Sequence, residues 1–186
     1  MKTTTKAWFA VVAMALATGA GATVTSEARA QVTCSATDAA QLVRLHGELQ
    51  KLSGKNAHAG VLRTFRDMQA LERRSCSLDL GDYKLAGLAA RATGDIGNAI
   101  AWLDKAGAST DSADLRARFG QVEIKEKKGD LTKDGGVPFP PDESTTLALG
   151  VAAVKSTGKY VGYLPIGTYK LGSKSFEVKA GTVTKV

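Results

Sequence analysis

The apolar residues between positions 42 and 106 recur every three or four residues, which predicts amphipathic helices. Polar and glycine residues at 53–56 and at 93–94 interrupt the pattern, and Asp95 is typical of a helix N-cap. We therefore expect four helices in two antiparallel hairpins, with residues 78–82 as the connector between them. The apolar positions of the four helices are Leu42, Leu45, Leu49 and Leu52; Val61, Leu62, Phe65, Met68 and Leu71; Leu85 and Leu88; and Ile96, Ala99, Ile100, Leu103 and Ala106.

The two predicted hairpins resemble each other when the sequence is compared with itself at an offset of 40 residues. Gly47 then aligns with Gly87, and Gly54 aligns with Gly94. Gly54 and Gly94 are predicted to lie where a helix ends and the chain reverses. Gly47 and Gly87 lie inside helices, where glycine costs about 1 kcal/mol relative to alanine. We therefore expect a neighbouring helix to approach closely at both positions.

The second hairpin resembles a tetratricopeptide repeat, and the resemblance extends over about residues 38–110. It implies stacked antiparallel helix pairs, which usually serve protein–protein contact. The first copy matches at Gly47, Gly54 and Ala59. The matching small and apolar positions of the second copy are Gly87, Gly94, Asp95, Ala99, Leu103 and Ala106.

Apolar and polar residues alternate in most of the C-terminal third, which predicts antiparallel strands with one buried face. The predicted strands are residues 119–127, 160–164, 168–171, 176–179 and 182–186. Residues 129–136 are predicted as a polar turn, and residues 137–141 as extended chain. Residues 165–167 suit a type I turn, and residues 172–175 suit a hairpin connection.

Two further segments of this region are predicted as helices. Residues 111–114 resemble a capping sequence at the start of a short helix. Residues 142–157 fit a helix that Asp142 or Ser144 caps and that ends at Gly158. Gly150 and the β-branched residues of this segment leave a strand as the alternative.

The C-terminal segment, about residues 160–186, resembles the PEGA-like and carboxypeptidase-regulatory-like β modules. The residues that match are Leu164-Pro165-Ile166-Gly167-Thr168-Tyr169 and Phe176-Glu177-Val178. The resemblance implies a small, exported, antiparallel β module that is usually not catalytic. The expected fold class is therefore α+β: antiparallel, repeat-like helical hairpins (31–110) followed by a small antiparallel β module that carries one helix (111–186).

Residues 1–30 have the pattern of a secretory signal peptide. Lys2 and Lys6 precede an uncharged apolar run at 7–17, which is too short for a membrane span of roughly 20 residues. Cleavage is predicted after Ala30, with Ala22 as the alternative. We therefore expect a periplasmic or secreted protein that is not stably inserted in a membrane after cleavage.

Export bears on the two cysteines of the chain. Cys34 precedes the first predicted helix and Cys76 follows the second, so the two residues are neighbours in an antiparallel hairpin. An oxidising compartment makes a disulfide the expected state. A reactive thiol is the alternative, and it would require a low-pKa setting.

Charge and motifs exclude several functions. The net charge is +7 for the whole chain and +5 without residues 1–30, and the basic residues are interleaved with acidic ones. Nucleic-acid binding is therefore not expected. His46 and His58 are too few for a metal site, and Asp79/Asp82 and Asp142/Glu143 are interpreted as helix-capping carboxylates. No catalytic residue, metal or cofactor is expected.

The expected function is non-enzymatic: contact with another protein of the cell envelope through the concave face of the helices. The candidate contact residues are Arg63, Arg66 and Asn98, which are polar and lie opposite the leucines. The alternative is a module that binds glycan or cell wall through the β half. An exposed aromatic strip, such as Tyr160 beside Tyr163, would favour that alternative.

Overall fold

A computed structural model of the chain describes residues 33–125, 129–135 and 140–186. The predicted signal peptide (1–30), with both cleavage sites, lies outside the described residues, as do residues 136–139 of the connector before the last helix. The described residues form one compact unit. No helix in the described ranges combines the length and the apolar character that a membrane span requires.

The helical region predicted from the apolar spacing is confirmed, and the protein is α+β. Ser35 caps the first helix by accepting a hydrogen bond from Asp38 N at 3.0 Å, and Asp95 caps the fourth by accepting one from Asn98 N at 3.3 Å. The helices are α1 (Ala36–Gly54), α2 (His58–Glu72), α3 (Leu80–Ala92), α4 (Ile96–Lys105), α5 (Ser109–Arg118) and α6 (Pro141–Thr157).

Two predicted helix starts are wrong. The connector predicted at 78–82 overlaps α3, because Asp79 and Asp82 form a capping box that starts the helix at Leu80. The capping sequence predicted at 111–114 lies inside α5, which begins at Ser109. A Schellman turn at Gly107 (φ +71°) ends α4 and leads directly into α5, so no side-chain cap is used.

The first helix ends at Gly54, as predicted, but the left-handed residue of the reversal is Asn56. Asn56 has the left-handed conformation (φ 53°), and Ala57 N donates to Leu52 O across it. Gly94 (φ +80°) has the same role after α3, as predicted. Asparagine tolerates this conformation better than most residues, so Asn56 replaces glycine at the first reversal.

The first five helices pack as consecutive neighbours, and α1 also contacts α3. Phe65 of α2 lies at the centre of this packing, with its ring edge-to-face with Tyr83 at 5.2 Å and with Trp102 at 4.9 Å. The surrounding core includes Leu45, Leu49, Val61, Met68 and Leu71.

The β region contains two three-stranded sheets. One has the order β3-β1-β6 and the other the order β2-β4-β5. The strands are β1 (Phe119–Ile124), β2 (Leu131–Lys133), β3 (Tyr160–Pro165), β4 (Gly167–Leu171), β5 (Lys174–Val178) and β6 (Val183–Lys185).

Three expectations for the strands need correction. The pairing is not entirely antiparallel, because β6 returns beside β1 in a parallel arrangement. The polar turn predicted at 129–136 contains β2, which pairs with β4. The turn predicted at residues 165–167 does not join two strands of one sheet: these residues carry the chain from β3 in one sheet to β4 in the other. The hairpin between β4 and β5 is confirmed.

Residues 142–157 are helical, and the strand alternative is wrong. Pro141 occupies the first turn of α6, and Gly158 (φ +73°) ends it. Neither Asp142 nor Ser144 caps α6, because Pro140 occupies the N-cap position and both residues lie within the first turn. Gly150 allows close packing on β3: a Cβ there would lie 2.7 Å from Leu164 Cδ2.

The helical and β regions share a core. Ile96, Leu103 and Leu115 pack in one cluster with Phe119 of β1, and Tyr163 of β3 packs against it. The domain boundary predicted between residues 110 and 111 falls inside α5.

Candidate functional site

The two cysteines form a disulfide in the structure. Their Cα atoms are 4.6 Å apart, and Cys76 is buried. Cys34 lies just before α1 and Cys76 lies four residues after α2, so the bond joins the two open ends of the first hairpin. This pair has a structural role, because both sulfur atoms are used in the bond.

The three predicted contact residues belong to two helices, α2 and α4. Arg63 and Arg66 are exposed on α2. Asn98 lies in the first turn of α4, where its side-chain amide donates to Asp95 Oδ2 at 2.7 Å. Asn98 lines a groove beside β3, whereas neither arginine does.

His46 and His58 are not partners in the structure. His46 Nδ1 is 2.7 Å from Asp82 Oδ1, and His46 Nε2 is 2.8 Å from the side-chain nitrogen of Gln50. His58 begins α2 and lines a separate depression with Arg91 and Asp142. The antiparallel hairpin therefore does not bring the two imidazoles face to face.

His46, Asp79 and Asp82 form a group whose potential ligand atoms lie within 4.8 Å of one another. The capping interpretation accounts for both carboxylates. Asp79 accepts from the backbone of Asp82, and Asp82 Oδ2 accepts from Asp79 N at 3.2 Å. The group therefore starts α3 and ties it to α1 through His46.

Asp142 and Glu143 lie in the first turn of α6, at a helix N-terminus as predicted, but neither caps the helix, and both pair with arginine. Asp142 Oδ2 accepts from Arg118 Nη2 at 2.7 Å and from Arg91 Nε at 2.8 Å. Glu143 accepts from Arg118 Nη1 at 3.1 Å. Burial alone would raise the pKa of Asp142, but the two guanidiniums outweigh burial and lower this pKa to about 2.

Tyr160 and Tyr163 do not form an exposed aromatic strip. The Tyr160 hydroxyl donates to Tyr163 O at 2.7 Å, and burial raises the pKa of Tyr160 to about 12. The Tyr163 hydroxyl accepts from the Gln121 amide at 2.8 Å. A Cβ at Gly97 would lie 3.4 Å from the Tyr163 ring, so this ring packs close to α4.

The concavity that contains Asn98 is the candidate functional site, and we call it the β3 groove. It has a volume of about 530 Å³ and is lined by Gly94–Asn98, by Leu149 of α6 and by residues 160–163 of β3. Leu149 is 48% exposed and Val161 is 78% exposed, so apolar side chains face solvent here. Exposed apolar side chains that line a concavity with a few polar groups are typical of binding sites.

The groove was not predicted as a unit from the sequence. Its residues come from three separate segments, and only tertiary packing brings those segments together. The available signals were Asn98, a polar residue predicted on the fourth helix, and Tyr160 beside Tyr163, which were predicted as a possible aromatic strip.

The chain is an α+β protein with an open, partly apolar groove beside β3. No protein-family model matches the chain, and neither a curated protein nor a solved structure matches it.

Proposed function

We propose that this protein is exported, is not an enzyme, and binds another protein of the cell envelope through the β3 groove. The observation that carries the proposal is the groove itself, with Leu149 and Val161 exposed along it. The disulfide supports export, because such bonds persist in oxidising compartments. The leader pattern of residues 1–30 supports it independently.

The chemistry of the groove favours binding. Asp95 is the one carboxylate among the described residues that line it, and both of its oxygens accept hydrogen bonds from Asn98. Apolar side chains beside a few polar groups suit recognition of a polypeptide surface. Arg63 and Arg66 are retained as a second predicted contact on α2.

Affinity purification from envelope extract tests the proposal. The full chain is exported, captured with its disulfide intact, and compared with Leu149→Glu, which adds a charge to the groove. Val43→Glu is the matched control, because Val43 is exposed on α1 and does not line the groove. We expect a partner that Leu149→Glu loses and Val43→Glu retains.

Two results would change the assignment. Loss of the partner in the double variant Arg63→Ala/Arg66→Ala, with Leu149→Glu unaffected, would move the contact to α2. If no captured protein depends on either surface, the proposed function is wrong.

Glycan or cell-wall binding through the β half is the alternative proposal. It has less support, because the Tyr160 hydroxyl is engaged by the backbone of Tyr163 and the expected strip is not formed. Sedimentation with purified peptidoglycan, without enrichment of any protein, would favour the alternative.

A further inference from the structure

The central strand β1 uses its backbone groups alternately for its two neighbours. Gln121 N donates to Thr182 O at 3.2 Å, and Val186 N donates to Glu123 O at 3.0 Å. The odd-numbered residues of β1 therefore pair with the segment that contains β6. Its even-numbered residues must pair with β3 on the opposite side.

The register of β3 then decides which of its backbone groups face outward. Each even-numbered residue of β1 lies opposite an even-numbered residue of β3, and each odd-numbered residue lies opposite an odd-numbered one. Ile166 N donates to Arg118 O at 2.9 Å, which continues the series of hydrogen-bonded even-numbered pairs. The odd-numbered residues Val161, Tyr163 and Pro165 consequently direct their backbone groups away from β1, at the outer edge of the sheet.

Two tyrosine hydroxyls occupy part of this edge. Tyr160 donates to Tyr163 O at 2.7 Å, and Tyr169 donates to Pro165 O at 2.6 Å. Proline has no N–H to offer. The open part of the edge is therefore the N–H and C=O of Val161 and the N–H of Tyr163, all of which belong to residues that line the β3 groove.

The residues around this open edge indicate which kind of molecule could bind to it. Leu149 and Gly94–Asn98 line the same groove as the edge, and a Cβ at Gly94 would lie 2.9 Å from Leu149 Cδ1, so these two parts of the lining adjoin each other. The described residues that line the groove include no lysine or arginine, and Asp95 is the one carboxylate among them. Charge complementarity therefore favours a neutral or cationic chain and disfavours an anionic polymer.

We propose that the β3 groove binds an extended segment of its partner protein as an added strand on β3. The segment pairs with the backbone of Val161 and Tyr163, and it places an apolar side chain against Leu149. An extended polypeptide presents the donor and acceptor pattern that this edge leaves open. This inference rests on the proposed function and names how the partner binds.

The probe for the test is a phage-displayed library of random linear peptides, selected against the exported, disulfide-bonded protein. Synthetic copies of the enriched peptides are then measured by calorimetry against two variants. Val161→Pro removes the outward N–H and leaves the pairing with β1 intact, since proline is tolerated at a strand edge. Val161→Thr keeps that N–H and a similar shape.

We expect Val161→Pro to weaken peptide binding by about tenfold or more, and Val161→Thr to change it by no more than about twofold. Hydrogen exchange supplies a measurement on the unaltered protein. Bound peptide should slow exchange of the Val161 and Tyr163 amides, whereas the Gly162 amide is already paired with β1.

Three outcomes would overturn strand addition: peptides that bind Val161→Pro and the unaltered protein equally, no enriched peptide, or self-association through the β3 edge. In each of these cases, a captured envelope protein that Leu149→Glu loses would leave the proposed function intact. If Leu149→Glu also retains every captured protein, both strand addition and binding through the β3 groove are wrong.

Discussion

The absence of a side chain at Gly87 allows α3 and α4 to pack close together. A Cβ at Gly87 would lie 2.7 Å from Leu103 Cγ and 3.2 Å from Leu103 N, so α4 packs directly against this part of α3. Gly47, which the sequence comparison treated as its equivalent, has no atom within 4 Å of a Cβ position. The close approach predicted at both glycines is therefore confirmed at Gly87 and wrong at Gly47.

The two glycines make a matched pair of substitutions. We expect Gly47→Ala to stabilise the protein by about 0.5–1 kcal/mol, because alanine is the better helix former. Gly87→Ala should instead destabilise it by about 1–2 kcal/mol, since the clash with Leu103 exceeds the gain in helix propensity. Urea denaturation measures both changes, and effects of the same sign would contradict the packing described for α3 and α4.

At the scale of elements, the first hairpin is closed at both ends by different means. Asn56 reverses the chain between α1 and α2, and the disulfide joins the opposite ends. The pairing of Cys34 with Cys76 was predictable, because an antiparallel hairpin brings the start of one helix to the end of the next. The exact reversal residue was not, since Gly54 and Asn56 both satisfy local turn preferences.

Removal of the disulfide should cost much of the stability of the hairpin. For a sequence separation of 42, the chain-entropy description gives a loss of about 4 kcal/mol as an upper value. We expect the double variant Cys34→Ser/Cys76→Ser to unfold at a markedly lower urea concentration. The reduced unaltered protein is the control and should match the variant. Equal midpoints for the oxidised and reduced protein would contradict this role.

At the scale of the whole molecule, one carboxylate connects three helices. Asp142 of α6 binds Arg91 of α3 and Arg118 of α5, and Arg118 also binds Asp114 at 3.0 Å. The Asp142 side chain is 9% exposed, so solvent screens these ion pairs little. This network fastens the helix of the β region to the helical hairpins.

The contribution of Asp142 to the free energy of unfolding should depend on pH. Its pKa lies at about 2 in the folded protein, below the ordinary 3.8, so the contribution is complete above about pH 4 and is lost as the pH falls towards 2. The shift corresponds to about 2 kcal/mol. We therefore expect the difference in unfolding free energy between the unaltered protein and Asp142→Asn to shrink by about this amount between pH 6 and pH 2.

Urea denaturation over that pH range provides the measurement. Glu177→Gln is the control, because Glu177 pairs with Lys179 at an exposed position and contributes little at any pH. A constant difference between the unaltered protein and Asp142→Asn across the range would show that the arginine pairs do not hold Asp142 ionised.

The sequence by itself determined the features that local chemistry sets. The helical spacing, the cap at Asp95, the left-handed turn at Gly94 and the hairpin after β4 all depend on residues close together in the chain. The α+β class and the cysteine pairing followed from the order of those elements.

Only the tertiary structure decided which distant segments meet. Parallel pairing of β6 with β1, the ion pairs of Asp142 and the open edge at Val161 each join or expose residues that lie far apart along the chain. The local sequence around each of these residues is compatible with several pairing partners. Which partner is used depends on which apolar faces can be buried together. The β3 groove forms where α4 and α6 contact β3, which is an edge strand of its sheet among the described residues.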